Sequence, residues 1–135
     1  MKDETSTWLS YADENLDVAE LALEHGHLNS CLQNAQQAVE KYLKAVIVNR
    51  DLQFRRTHSI RELVGLLSDQ DIHVDISDDG MDLMDTIYVP SKYPVYSALP
   101  QALPDPEICK DALKAAKKVR DSVSQIIKKG PTSSG

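Results

Sequence analysis

The sequence is short of aromatics and glycine, with one Phe, one Trp, five Tyr and five Gly in 135 residues. That argues against an all-β sandwich, which needs many turns and many β-formers. Only two cysteines occur, Cys31 and Cys109. They form neither a disulfide framework nor a Cys-x-x-Cys pair. Each lies in a helical pattern, where it reads as a small buried apolar side chain. No apolar run approaches the roughly 20 residues needed to span a bilayer. The polar start Met1-Lys2-Asp3-Glu4 does not have the form of a signal peptide. The expectation is a cytoplasmic protein with no membrane association. A basic surface is missing as well: the net charge of −6 opposes a broad, sequence-independent grip on nucleic acid.

With 41% apolar residues, the chain can build one core without disulfides or metal, so residues 1–130 are expected to form a single domain. Charge is unevenly placed along it. Residues 1–25 hold seven acids against one Lys, and residues 69–85 hold seven Asp and no Lys or Arg. Residues 108–129 carry seven Lys and Arg against Asp111 and Asp121. Such blocks read as solvated helix faces that pair with each other in the fold. Setting the docking orientation of an oligomer is the alternative.

Apolar spacing predicts five helices. In the first, over 7–24, Leu9, Ala12, Leu16, Ala19 and Leu23 recur every three or four residues. Ser6 is its expected N-cap, and Gly26 ends it. The second runs from 28 or 29 to 49, with a stripe of Leu32, Ala35, Val39, Tyr42 and Val46. The short connection makes these two an antiparallel hairpin. The third opens at Ser59, where Ser59-Ile-Arg-Glu62 fits a capping box, and stops near Ser68. The fourth runs from 77 or 78 to 88, and its opening Ser77, Asp78 and Asp79 suit a helix N-terminus. The fifth has Asp105 as N-cap, Pro106 in the first position and Gly130 after its end. Between the last two, residues 89–104 contain four prolines and form a loop. Residues 72–76 alternate, but one short unpaired strand does not persist. The fold class is therefore all-α, an up-and-down antiparallel bundle, with a disordered tail over 131–135.

Gln36-Gln-Ala-Val-Glu-Lys-Tyr-Leu-Lys-Ala45 on the second helix is the most distinctive stretch. Gln36, Gln37, Glu40, Lys41 and Lys44 occupy the surface left by the apolar stripe, and Glu40 and Lys44 pair at i, i+4 in the favourable order. His58-Ser-Ile60 opens the third helix, and Ser91-Lys-Tyr-Pro94 lies in the proline-rich loop. In this order, the three stretches resemble the signature of the HEPN domain family (higher eukaryotes and prokaryotes nucleotide-binding). The resemblance covers roughly 8–127. It implies a helical bundle, often a homodimer, and a frequent pairing with a small nucleotidyltransferase. Some members are the ribonuclease toxins of such pairs, and others are assigned nucleotide binding by analogy.

The ribonuclease members carry Arg, four to six residues, then His. No pair here fits. Arg50 leaves seven residues before His58, Arg55 leaves two, Arg56 leaves one, and Arg61 leaves eleven before His73. The position similar to the family's conserved Arg is Lys92, which cannot form a bidentate phosphate fork. Metal ligation is not indicated, because His25 and His27 straddle Gly26 while His58 and His73 stand alone. No Gly-rich phosphate loop or other cofactor motif occurs, so no catalytic residue, metal or cofactor is assigned.

Candidate binding residues remain. Lys44, His58, Lys92 and Tyr93 are candidates for contact with a nucleotide. Arg50, Arg55 and Arg56, in the only locally basic loop, are candidates for RNA phosphate. Gln37 and Glu40 are candidates for a polar network, inside a dimer seam or against the loop. For each, a plain structural role stands beside the functional one: loop arginines covering helix ends, His58 capping the third helix, tyrosines pinning a loop. The function expected is a non-catalytic nucleotide- or nucleic-acid-associated binding module, partnered with a nucleotidyltransferase in a toxin–antitoxin-like pair. The alternatives are a ribonuclease toxin with a non-standard site built on Arg50, His58 or Lys92, and a structural dimerisation scaffold.

Overall fold

The computed structural model describes residues 3–53, 56–92 and 104–130. These form five helices and no strand: α1 (Asp3–Glu24), α2 (Leu28–Asn49), α3 (Ile60–Asp69), α4 (Asp78–Lys92) and α5 (Pro106–Lys129). None is long and apolar enough to cross a membrane. Arg55, Tyr93 and the tail 131–135 lie outside the described residues, as do the side chains of 89–92, Lys92 included.

α2 is the axis of the bundle and touches all four other helices. The sequence suggests one apolar stripe on it. Instead, thirteen of its twenty-two residues are buried, Gln36 and Glu40 among them. A central helix has neighbours on nearly every side, so Ala38, Leu43, Ala45 and Ile47, off the expected stripe, are as dry as Val39 and Val46. Each buried Val, Leu or Ile contributes about 1.5–3 kcal/mol. α1 lies antiparallel along α2, and Asn15 fastens the pair. It donates to Asn34 Oδ1 at 2.9 Å and accepts from Lys41 Nζ at 2.7 Å. α5 closes the other side. Its Cys109 is packed against Cys31 of α2, both fully buried and unbridged.

The helix ends explain the connections. His27 N–H reaches back to Ala22 O at 2.7 Å, with Gly26 at φ 76°. The same closure ends α2, from Leu52 N–H to Ile47 O, and α3, from Ile72 N–H to Leu67 O, both at 2.9 Å. There the left-handed residue is Asp51 (φ 56°) or Asp71 (φ 62°). Aspartate tolerates that conformation because its short side chain bonds locally, so it serves where glycine is scarce.

Two ends differ from the sequence reading. α1 starts at Asp3 rather than beyond Ser6, because Thr5 is fully buried and draws an extra turn into the bundle. α4 runs past Tyr88 to Lys92, through Pro90. Proline lacks one N–H, and the loss of a single backbone bond within the final turn does not stop the helix. Residues 72–76 form no strand. Ile72 and Val74 point into the core, and Asp75 N–H donates to Ser122 Oγ at 2.9 Å, which ties this segment to α5.

Candidate functional site

Glu40 is the centre of the best-built polar site among the described residues. Its side chain is only 5% exposed, in the middle of α2. Burial of a carboxylate is costly unless its oxygens are fully engaged. Here they are. Gln36 Nε2, one turn earlier, donates to Oε1 at 3.3 Å. Lys44 Nζ, one turn later, donates to Oε2 at 2.6 Å. His58 Nδ1, arriving from the loop before α3, lies 2.8 Å from the same oxygen. Gln37 Nε2 donates to Gln36 Oε1 at 2.9 Å and extends the chain to the surface.

A carboxylate paired with an ammonium accepts hydrogen bonds, so the proton on this edge of His58 sits on Nδ1. That fixes the imidazole and turns Nε2 away from Glu40. The ring stacks on Tyr88 of α4, with centroids 4.9 Å apart and planes 18° from parallel. His58 keeps 53% of its side chain exposed, so the arrangement presents an oriented imidazole edge to solvent. Lys44 is 14% exposed and lies 5.8 Å from the centre of the Trp8 ring, at cation–π range.

The loop that delivers His58 is held at its far end by α4. Asp85 accepts from Ile60 N–H at 2.6 Å, from Ser59 Oγ at 3.0 Å and from Arg61 N–H at 3.4 Å. Ser59 Oγ caps Glu62 N–H at 3.2 Å, as the capping box requires. The return arm differs: Glu62 accepts from the Thr57 hydroxyl, and Thr57 Oγ1 in turn accepts Ser59 N–H at 3.1 Å. Thr57 Oγ1 takes the Ser59 N–H that a capping box gives to Glu62, so the Glu62 carboxylate is left to the Thr57 hydroxyl. Arg61 is claimed by Asp78 and Asp82 at 2.8 and 2.7 Å, which raises its pKa through those two hydrogen bonds.

The structure thus brings together Gln37, Glu40, Lys44 and His58, and separates them from Arg50. Arg50 Nη2 donates to Ile126 O at 3.0 Å, on the negative end of α5. Arg56 is exposed on the loop. No arginine contacts His58 among the described residues. Sequence reasoning missed Gln36, which looks like surface but is 1% exposed, and Asp85, one acid in a run of seven with nothing local to single it out. Trp8 and Tyr88 gain their place beside Lys44 and His58 from helix packing.

Chemically, the site holds one buried negative charge against one positive charge and an imidazole. It can offer the exposed edge of the His58 ring to a ligand. No group of three potential metal ligands occurs among the described residues.

The HEPN domain family model matches residues 5–126. The fold is similar to that of TT1696 from Thermus thermophilus, with a TM-score of 0.73 and 30% identity over 92% of this chain and 98% of that one. It is also similar to ST0689, an archaeal HEPN homologue, with a TM-score of 0.71 and 23% identity over 94% and 99% of the two chains. Among curated proteins no relative matches.

Proposed function

The chain belongs to the HEPN domain family, and from that premise we propose that it is a non-catalytic, nucleotide- or nucleic-acid-associated binding module. One observation carries the reading: the buried Glu40 carboxylate holds His58 with its other edge exposed and its ring stacked on Tyr88. A stacked aromatic pair with an outward hydrogen-bonding edge suits a nucleobase, which offers both a π-face and polar atoms. Lys92, on the last turn of α4 beyond Tyr88, is the candidate phosphate contact, and Tyr93 follows it in sequence.

The partners proposed are a second copy of the chain and, from the family, a small nucleotidyltransferase in a toxin–antitoxin-like pair working in the cytoplasm. The adjacent reading frame tests the pairing, and a Gly-Ser motif with paired Asp there supports it. Sedimentation tests the homodimer, which a concentration-independent monomer removes.

The binding test is calorimetric titration with ATP and with a short single-stranded RNA. Saturable heat is expected in the wild type and at least a tenfold loss of affinity in His58→Ala, with Tm followed as a control for folding. Absence of heat and of a thermal shift at millimolar ligand would leave the scaffold reading ahead.

The ribonuclease alternative has one observation in its favour, since a carboxylate-oriented imidazole is the geometry of a general base. Against it, no cation is free beside His58 among the described residues to stabilise phosphorane charge. Lys44 is neutralised by Glu40, and Arg61 by Asp78 and Asp82. Intact bulk RNA and normal growth on induced expression, unchanged in His58→Ala, would sink that alternative.

A further inference from the structure

Glu40 and Tyr42 are two residues apart on α2, so they leave the helix about 200° apart. The face of α2 opposite the His58 site closes a cavity, which the nucleotide reading does not use. It is an open cleft of about 430 Å³ between α1, α2 and α5. Tyr42 forms part of its lining, only 1% exposed, and donates its hydroxyl to Asp13 Oδ1 at 2.5 Å. Half-buried Leu9 of α1 and Ile127 of α5 are its apolar walls.

Arg120, Ser124 and Lys128 enter the same cleft at i, i+4 and i+8 on α5. Helical spacing puts these three donors on one face, one turn apart. Their hydrogen-bonding capacity is mostly unclaimed. Arg120 engages Asp121 through Nε at 3.0 Å, which leaves its two terminal nitrogens available. Ser124 and Lys128 are exposed, and neither forms an ion pair or hydrogen bond among the described residues. The two carboxylates at the cleft each already hold a donor, Asp13 the Tyr42 hydroxyl and Asp121 the Arg120 Nε. Asp13 and Asp121 keep their charges beside Arg120 and Lys128, so the lining is balanced overall, and the donors left without a partner are the Arg120 terminal nitrogens, Ser124 and Lys128, beside an apolar wall.

We propose that this cleft binds a small organic anion, a carboxylate or a phosphate monoester on an apolar body, with the anionic group at Arg120, Ser124 and Lys128 and the body against Leu9 and Ile127. The volume lies within the usual range for small-molecule sites, and a few placed polar groups on an apolar lining is their usual composition. A planar guanidinium with two free nitrogens is suited to either anion. The Tyr42–Asp13 bond braces α1 against α2 beside the cleft. The site is independent of the nucleotide reading and stands or falls separately.

Amide-resolved NMR titration of the full chain with benzoate and with phenyl phosphate tests it, with inorganic phosphate as the probe lacking an apolar body. Saturable shifts are expected at the amides of Leu9 and of 120–128, about tenfold weaker for inorganic phosphate. Comparison of the two aromatic probes identifies the preferred anion. Arg120→Gln and Lys128→Gln should each weaken the preferred probe about tenfold, and His58→Ala should leave it unchanged. Lys128 is exposed, so its variant keeps the fold even if Arg120→Gln does not. Shifts that do not saturate, shifts centred on 58 and 88, or a Lys128→Gln chain that binds like the wild type would each overturn the proposal.

Discussion

The two faces of α2 each join a carboxylate to an aromatic donor from another element, and they do it in opposite ways. On the His58 face the charge is inside: Glu40 is buried and its ring partner His58 is half exposed. On the other face the ring is inside: Tyr42 is buried and its carboxylate partner Asp13 is exposed. The burial of Glu40 demands several partners, and Gln36, Lys44 and His58 supply them. Asp13 remains hydrated and needs only Tyr42. The first face is a closed network that positions one side chain. The second leaves one cation, Lys128, unpaired among the described residues beside a cavity. A buried charge recruits its surroundings, whereas an exposed one leaves them available.

The contrast can be broken most severely at Glu40. Glu40→Ala strands Lys44 and frees the His58 loop, and should lower stability by about 3–5 kcal/mol in urea denaturation. A loss below about 1 kcal/mol would show that the network is solvated like the Asp13 face. Asp85→Ala comes next. It removes the acceptor from the first turn of α3 while leaving Glu40 in place. An expected loss of about 1–2 kcal/mol, with faster amide exchange confined to 57–63, would show that the His58 face is held from two helices.

Tyr42→Phe should cost less, about 1 kcal/mol, since Asp13 is in water and loses one bond. It also carries a pH signature. Burial, and then the hydrogen bond and charge of Asp13, raise the Tyr42 pKa above its ordinary value of 10.0. The folded chain therefore holds this proton after the unfolded chain has released it. Tyr42's contribution is complete below pH 10.0 and is lost as pH rises towards the folded value. Wild-type stability should fall more steeply above pH 10 than that of Tyr42→Phe. Cys31 acts in the same direction: burial first, and Cys109 second, push its thiol from 9.0 up to about 12, so its share is lost as pH rises from 9 to 12. The Cys31→Ala chain should show a shallower decline in that window. The smallest effect belongs to Arg61→Ala. Its pairs with Asp78 and Asp82 are exposed, and no shift in Tm beyond error is expected.

Much of the fold was legible in the sequence because its signals are local. The apolar spacing of α1, α3 and α5, the Ser59 and Asp105 caps, and the ends near Gly26 and Gly130 all follow from residues within one or two turns. The extra turn of α1 was not, because Thr5 is drawn in by burial rather than by a cap. The Asp51 and Asp71 closures hid behind the expectation of glycine. At the site, Glu40 and Lys44 announce themselves by spacing, and His58 by resemblance. That they touch is a fact about α2 and the loop before α3, eighteen positions apart. Asp85 contributes from α4 and carries no local signal at all.

The sequence by itself determined the helices, their order and the family, since helical periodicity and capping are written within a few residues of each other. Only the tertiary structure decided which polar residues are inside. Gln36 and Gln37 are neighbours with the same side chain, yet Gln36 is dry at 1% exposed while Gln37 bonds to it from nearer the surface. Their difference is a rotation of about 100° around α2, and it acquires meaning only when other helices occupy one side of it. Twice that rotation separates a carboxylate that holds a histidine from a tyrosine that closes a cleft.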